Sequence, residues 1–223
     1  MKTALKKIYF LFLFLGIDLR KIISLSYLPK YLKDRSNFKK AGGSISYLLP
    51  ELTNYVDTAG EASGHYFHQD LLVASLIHEI NPDRHIDVGS RIDGFVAHVA
   101  SYREIEVIDI RELNTISHKN IKYLQKDITK DDPKLISCTD SLSCLHALEH
   151  FGLGRYGDTI DPKGHLVGFQ NLIKMLKPGG HLYISFAIAS ISSVYFNAYR
   201  IFEPKEVLTW ADEILLERFR NLE

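Results

Sequence analysis

Short apolar segments alternate with longer amphipathic segments from residue 65 onward. Five segments have the length and composition of buried β-strands: 85–88, 105–110, 121–124, 141–148 and 181–188. Three other segments carry apolar residues at helical spacing: 71–80, 95–99 and 164–176. Alternating strands and helices predict an α/β domain with a parallel sheet.

The first 40 residues follow a different pattern. Residues 8–17 are strongly apolar, and residues 22–32 are amphipathic. Ten residues are too few to cross a bilayer as a helix, which takes about 20. We therefore predict a helical arm over 1–40 that lies on a membrane surface or packs on a partner. An alternative for residues 1–40 is a helix that packs on its own domain. A cleaved signal sequence fits the sequence less well, because no small-residue cleavage site follows. Residues 41–64 form the predicted linker, and 65–223 one domain.

The turn after the first predicted strand is the candidate ligand loop. Gly89 and Gly94 lie in it, and Asp109 follows Gly89 by 20 positions at the end of the next strand. That is the spacing from loop glycine to ribose-binding acid in nucleotide-binding βαβ units. Dinucleotide loops need glycine where this chain has Arg91, which disfavours NAD and FAD. Asp87 favours a cationic ligand, such as the ammonium and sulfonium of S-adenosylmethionine. A turn with a capping acid and no ligand is the alternative.

Further polar residues follow the third and fourth predicted strands. Asp127 is placed to accept a hydrogen bond from an adenine amino group, or to cap a helix. Glu149 and His150 follow the fourth strand directly, and three glycines lie between residues 151 and 158. Such a glycine-rich segment indicates a loop beside a ligand.

Composition and charge narrow the function classes. Hydrophobic residues make up 46% and charged residues 24%, as in soluble globular chains. Residues 1–40 hold ten Lys or Arg and two Asp, a net charge of +8, so the remaining chain carries −8. An acidic domain argues against nucleic acid as a partner. The two cysteines, Cys138 and Cys144, predict no disulfide framework and no metal site, and free cysteines fit a cytoplasmic protein. In that compartment the predicted arm would lie at the inner face of the membrane.

The order of these features resembles the class I S-adenosylmethionine-dependent methyltransferases, over residues 65–205. Leu148-Glu149-His150 and Leu176-Lys177-Pro178-Gly179-Gly180 complete the series. The resemblance implies a Rossmann-like, doubly wound sheet and S-adenosylmethionine as cofactor. Residues carried over for cofactor binding are Asp87, Gly89, Ser90 and Gly94 for the methionine end, Asp109 for the ribose, and Asp127 with Ile128 for the adenine. Little chain follows the fifth strand, so either the sheet lacks its last strand or the chain is truncated.

A narrower resemblance comes from four segments: HIDVGSRIDGFVAH, VIDIRE, ALEHFGLGRYGD and FNAYRIF. They are similar to a bacterial family labelled domain of unknown function 268. Its members resemble methyltransferases and are associated with surface-polysaccharide biosynthesis. This resemblance implies the fold and the cofactor and does not settle the acceptor. From the association with polysaccharides we expect a glycan or small-molecule acceptor, and O-methylation of a sugar.

Methylation of a sugar hydroxyl needs a base. His146 and His150 are the candidates, with His150 preferred and Glu149 orienting it; a structural helix start at Glu149-His150 is the alternative. Asp158, Asp161 and Arg200 are candidates for binding the acceptor. A second hypothesis is a non-catalytic module that docks on a membrane-bound glycan assembly, against which the complete series of three acids argues.

Overall fold

A computed structural model of the chain describes residues 15–16, 19–57, 59–60, 62–114, 118–211 and 214–221. The predictions for residues 1–7 and for most of the apolar segment 8–17 lie outside these residues. The chain divides into two compact units, residues 1–62 and 63–223.

The described residues of the first unit form two helices and two short 3-10 turns. Helix α1 spans Leu19–Ser24 and helix α2 spans Leu28–Lys40, with a 3-10 turn between them. Tyr55 lies on a second 3-10 turn; its ring stacks on Tyr27 at 5.8 Å, and its hydroxyl donates to Asp34. None of the described helices is both long and apolar enough to cross a membrane.

The second unit contains the predicted parallel sheet. Its strands are β1 His85–Val88, β2 Ile105–Asp109, β3 Ile121–Gln125, β4 Thr139–Leu145 and β5 Leu176–Ser185. Their order is β3-β2-β1-β4-β5, and every neighbouring pair is parallel. The chain runs outward from β1 to β3 and then returns to β4, so the strand order reverses between β1 and β4. Ligands of open α/β sheets bind at the carboxyl ends of the strands beside such a reversal.

Helices cover both faces of this sheet. Helix α3 spans His65–Ile80, a π turn over Ile92–Val96 continues into α4 Ala97–Ala100, α5 spans Gly164–Met175 and α6 spans Pro204–Val207. Neighbouring residues of one strand enter different cores: Val107 packs with α3 and α4, and Ile108 packs with α5. Two helical layers around one parallel sheet confirm the doubly wound α/β fold.

Three details differ from the pattern-based prediction. The segment 189–204, predicted to be irregular, contains an antiparallel hairpin of β6 Ser193–Tyr195 and β7 Tyr199–Ile201. Strand β4 ends at Leu145, because the chain turns into a left-handed residue at His146. Strand β5 begins at Leu176, before the proline and glycines, because a bulge lets Leu176 pair with Thr139 and His181 pair with Ser141.

Candidate functional site

A cavity of about 740 Å³ opens at the carboxyl ends of β1, β2 and β4. Ten of the predicted site residues line it: Gly89, Ser90, Gly94, Asp109, Asp127, Ile128, His146, Glu149, His150 and Asp158. Three do not: Asp87, Asp161 and Arg200. Ten of the predicted residues therefore gather at one cavity, and the structure shows what each side chain contacts there.

The loop after β1 needs its first glycine. Gly89 has a φ of +78°, and a Cβ there would lie 2.7 Å from the Cβ of Ala147. Its backbone N–H donates to the carbonyl of Ile108 at 3.0 Å. A side chain would therefore meet both backbone strain and a clash with the chain leaving β4. Gly89 lets the loop lie against that segment at the floor of the cavity.

Asp87 lies beneath the loop and is fully buried. Its Oδ2 accepts from the Ser90 backbone N–H at 3.0 Å, and its Oδ1 accepts from the hydroxyls of Ser90 and Ser143 at 2.7 and 2.5 Å. Burial raises the pKa of Asp87 to about 6. In this geometry the carboxylate holds Ser90 in place, and Ser90 is the residue that lines the cavity.

A buried histidine extends this network away from the cavity. His85 Nδ1 lies 2.8 Å from the Ser141 hydroxyl, and Nε2 lies 3.2 Å from the Ser143 hydroxyl. Burial lowers the pKa of His85 to about 3, so the ring is neutral. Sequence reasoning missed this link, although the alternation along β1 and β4 carries its signal: His85 pairs with Ser141 and Asp87 with Ser143 in the parallel register.

Asp109, the acid predicted to bind the ribose, accepts hydrogen bonds from Arg111. Its Oδ1 accepts from the Arg111 backbone N–H and Nε at 2.8 and 2.9 Å, and its Oδ2 accepts from Nη2 at 2.5 Å. The arginine side chain is 44% exposed, and its guanidinium lies 4.8 Å from the ring centroid of Tyr156. A ribose would therefore share the carboxylate with Arg111 or displace it.

Asp127, the predicted adenine acid, closes a short turn. Its Oδ1 accepts from the backbone N–H and the hydroxyl of Thr129 at 3.0 and 2.6 Å. Its Oδ2 lies 3.7 Å from Lys130 Nζ. The neighbouring Ile128 carbonyl accepts from Asn171 on α5, which ties this part of the cavity wall to the helix.

Glu149 pairs with His146, whereas the sequence suggested a pair with His150. His146 Nδ1 lies 2.9 Å from Glu149 Oε1. A carboxylate only accepts, so Nδ1 carries the proton and Nε2 is left as an acceptor. His146 lies before the 3-10 turn Leu148–His150 in a left-handed conformation, and the ring of His150 is held by the Ala198 carbonyl, so Glu149 pairs with His146. Glu149 is 3% exposed, and its Oε2 has no hydrogen-bond partner among the described residues.

His150 is instead tied to the hairpin. Its Nδ1 donates to the carbonyl of Ala198 at 2.7 Å, and its ring packs edge-on against Tyr156. Arg155 donates to the same carbonyl at 2.8 Å. Burial lowers the pKa of His150, which favours the neutral ring.

The predicted acceptor residues Asp158, Asp161 and Arg200 make contacts within the protein. Asp158 accepts backbone hydrogen bonds from three residues of its own loop, Gly152, Gly154 and Tyr156. Asp161 Oδ1 accepts from the Lys163 backbone N–H. Arg200 is 3% exposed and donates to the carbonyls of Phe151 at 2.5 Å and Pro162 at 3.3 Å. These contacts fold the glycine-rich loop and join it to the hairpin and the segment before α5.

The first turn of α3 lines the cavity. His65 and Tyr66 place their rings 5.1 and 5.0 Å from that of His146. Asp70 also lines the cavity, whereas His68 packs on Phe67 and does not line it. Five further cavity-lining residues carry no signal in the sequence pattern: His65, Tyr66, Arg111, Tyr156 and Tyr199. The described part of the chain holds no group of three or more side chains that could bind a metal ion.

The sequence matches one protein family over residues 98–208, described as Caenorhabditis protein of unknown function, DUF268. The match confirms the narrower resemblance, but the description names Caenorhabditis where we expected a bacterial family. It includes Asp109, Asp127 and His146 and begins after the loop glycines. No curated protein sequence matches the chain.

Solved structures resemble the sheet and its helices. The [4+2]-cyclase SpnF is 16% identical, with a TM-score of 0.50 over 68% of this chain and 60% of its own. The 1,6-didemethyltoxoflavin-N1-methyltransferase of Burkholderia thailandensis, with bound S-adenosylhomocysteine, is 14% identical, with a TM-score of 0.49 over 85% of this chain and 74% of its own. The chain has the class I methyltransferase fold. CalS10, an amino pentose methyltransferase from Micromonospora echinaspora, is 15% identical, with a TM-score of 0.42 over 63% of this chain and 58% of its own.

A methyltransferase fold does not by itself specify the reaction, since a cyclase shares it. The activity must be argued from the cavity. Within the methyltransferase fold of this chain, the glycine-rich loop and the β6–β7 hairpin meet at the Ala198 carbonyl and at Arg200. Both segments lie inside the family match, as does the His146–Glu149 pair.

Proposed function

We propose that this chain binds S-adenosylmethionine and methylates a sugar hydroxyl in surface-polysaccharide biosynthesis. One observation carries the proposal. A single cavity is lined by the loop glycine Gly89 and the strand-end acid Asp109, and also by the hydrogen-bonded pair of His146 and Glu149. The first two suit a nucleoside cofactor, and the pair suits proton removal from an acceptor.

The cavity fits a cofactor together with an acceptor. Its volume of about 740 Å³ lies within the ~300–1,000 Å³ of small-molecule sites. Asp109 offers carboxylate oxygens whose present partner, the Arg111 guanidinium, is half-exposed and can turn to solvent. The buried Oε2 of Glu149 has no partner among the described residues, and such an oxygen needs a donor from a ligand.

The cofactor would supply an electrophilic methyl group on a sulfonium, so the protein needs mainly to position the acceptor. In this proposal Asp109 binds the ribose hydroxyls, and the Gly89–Ser90 turn holds the methionine end. Asp127 binds the adenine amino group through its second oxygen. These roles keep the sequence-based assignments of Asp109, Asp127 and the Gly89–Ser90 turn, whereas Asp87 acts through Ser90 and not directly on the cofactor. Arg111 is added as the group that exchanges with the ribose.

His146 is the proposed base, replacing His150 in that role. Its Nε2 would accept the proton of the acceptor hydroxyl, whose oxygen would take the methyl group as the bond from that carbon to the cofactor sulfur breaks and S-adenosylhomocysteine is left. Nδ1 would keep its hydrogen bond to Glu149. The imidazolium that forms is stabilised by the Glu149 carboxylate 2.9 Å away. Glu149 thus positions the ring and compensates its charge, while His150 holds the loop.

A sugar is the proposed acceptor because of the cavity-lining residues that have no role in binding the cofactor. Tyr66, Tyr156 and Tyr199 line the cavity with aromatic rings, and Asp70 and His65 add hydrogen-bonding groups to the lining. Sugars present a flat C–H face and a rim of hydroxyls, which match such a combination.

Calorimetric titration of the purified chain tests the cofactor. We expect micromolar binding of S-adenosylmethionine and S-adenosylhomocysteine, and none of NAD, which serves as the matched nucleotide control. A folded chain that binds neither sulfur compound would overturn the proposal. Methyl transfer from labelled S-adenosylmethionine to nucleotide-linked and lipid-linked sugars then tests the acceptor; binding without transfer to any of them would favour the non-catalytic role.

A further inference from the structure

The helices of the first unit expose a row of aliphatic side chains. Ile22, Leu25, Leu28 and Leu32 are spaced three, three and four residues apart, so they share one face. Between 40% and 59% of the surface of each is exposed. A helix of a soluble domain normally buries such a stripe against the core. This apolar stripe, residues 22, 25, 28 and 32, lies on the outside.

The neighbouring face carries the less apolar residues. Ser24 is buried, and Tyr27, Tyr31 and Arg35 are partly buried. Their side is held by Tyr55, which stacks on Tyr27. Among the described residues of the unit Leu52 is a buried aliphatic side chain, whereas the stripe is exposed. The described residues therefore do not cover the apolar stripe, which indicates an external surface that covers it.

The charge around the stripe indicates the nature of that surface. Lys33, Lys39 and Lys40 are exposed on α2, and residues 1–40 together carry a net charge of +8. The sequence before α1 adds the strongly apolar segment 8–17. Aliphatic side chains bordered by lysines match a bilayer surface with anionic headgroups, where the apolar side chains enter the acyl boundary and the lysines meet phosphates.

We propose that residues 19–40 dock on an anionic lipid bilayer through the apolar stripe, with the axes of α1 and α2 along the surface. The proposal rests on the first unit alone and is independent of the methyl-transfer reaction. It brings the second unit to a membrane, where lipid-linked acceptors reside.

Co-sedimentation of the full chain with lipid vesicles tests the docking. We expect binding to vesicles of phosphatidylcholine and phosphatidylglycerol in equal parts, weaker binding at high salt, and little binding to phosphatidylcholine alone. Failure of the intact chain to bind the anionic vesicles would overturn the proposal. Cofactor affinity, measured on the same samples, reports separately on the second unit.

Two sets of variants locate the contact. The triple change Ile22→Asn, Leu25→Asn and Leu32→Asn should weaken vesicle binding at least about tenfold, because it removes buried apolar side chains. Ile136→Asn replaces an equally exposed apolar residue of the second unit and should leave binding unchanged. Retained binding by the triple variant would contradict the proposal. Conversion of an oligomer to a monomer by the same variant would also contradict it, since the stripe would then join two copies.

Charge is tested in the same way. Changing Lys33, Lys39 and Lys40 to Gln should lower binding about fivefold per lysine, the equivalent of ~1 kcal/mol for each basic residue at an anionic surface. The control changes Lys119, Lys163 and Lys205 to Gln, which removes the same charge from exposed sites in the second unit. Equal losses in both sets would show a general charge effect and overturn the assignment to α2.

Discussion

The two halves of the cavity are held in different ways. On the cofactor side, Asp87, Asp109 and Asp127 each accept hydrogen bonds from a residue two or three positions later: Ser90, Arg111 and Thr129. On the acceptor side, His150 and Arg200 bond to partners 38 to 51 positions away, such as Ala198 and Phe151.

The two sides therefore differ in how far apart in sequence their hydrogen-bonded partners lie. Asp109 and Asp127 accept their hydrogen bonds within their own turns, whereas Asp87 also accepts from the Ser143 hydroxyl on β4. A cofactor at Asp109 or Asp127 must therefore share or replace existing hydrogen bonds. On the proposed acceptor side, Glu149 Oε2 is buried and has no partner among the described residues, so it can accept from water or from a ligand.

The largest expected effect is on the acceptor side. His146→Asn should lower kcat by about 10²–10⁴-fold, the usual contribution of a general base, with cofactor affinity unchanged. Asparagine is the chosen replacement because it tolerates the φ of +50° at this position. Initial rates with a saturating acceptor, together with calorimetric cofactor titration, measure both quantities.

His150→Asn is the matched control for this substitution. It should lower activity less, since His150 supports the loop through Ala198. Glu149→Gln should lower kcat by less than His146→Asn and alter the dependence of rate on pH, because the imidazolium loses its compensating charge. A larger loss for His150→Asn than for His146→Asn would restore the original preference for His150.

A second effect concerns stability on the cofactor side. The folded-state pKa of Asp87 is about 6, above the ~3.9 of an unfolded chain. Between these values the folded protein holds a proton that the unfolded chain has lost, so the free energy of unfolding falls as pH rises from about 4 to about 6. Asp87→Asn should remove this fall, which is at most about 3 kcal/mol at ~1.4 kcal/mol per pKa unit.

Urea unfolding from about pH 4 to about pH 7 measures that change. Asp93→Asn is the control, because Asp93 is exposed and its ion pair with Arg91 lowers its pKa. The control should leave the fall between pH 4 and 6 in place. An unchanged pH dependence in Asp87→Asn would show that another group is responsible.

The smallest expected effects are on cofactor affinity, after substitution of Asp109 or of its ion-pair partner Arg111. Asp109→Ala should weaken cofactor binding by about 1–3 kcal/mol through loss of a charge-assisted hydrogen bond. Arg111→Ala should leave the affinity unchanged or raise it by up to about fivefold, since a half-exposed ion pair contributes only about 0–1 kcal/mol. Calorimetric titration of both variants shows whether cofactor affinity falls or rises. An equal loss of affinity in both would show that Arg111 itself contacts the cofactor.

Much of the cofactor side was predictable from the sequence. The strand patterns, the 20 positions between Gly89 and Asp109, and the segment after β4 placed ten residues on one cavity. The partners of those residues were less accessible. Arg111 lies two positions from Asp109, but nothing in the pattern shows that its side chain turns back to the acid.

The acceptor side shows where the sequence alone was insufficient. The glycine-rich segment and FNAYRIF were recognised separately, and only the fold joins them through Arg200 and the Ala198 carbonyl. Glu149 was assigned to its neighbour in sequence, although the geometry of the turn directs it to His146.

The sequence by itself determined the parallel sheet, the edge at which the acids gather and the amphipathic pattern of residues 22–32. These features depend on short-range periodicity, which is set by backbone geometry and by which residues can be buried. Only the tertiary structure decided that Asp87 lies beneath its loop, that Glu149 pairs with His146 and that Arg200 holds the loop. Such contacts depend on side-chain direction and on chain segments that are distant in sequence and meet only in the folded protein.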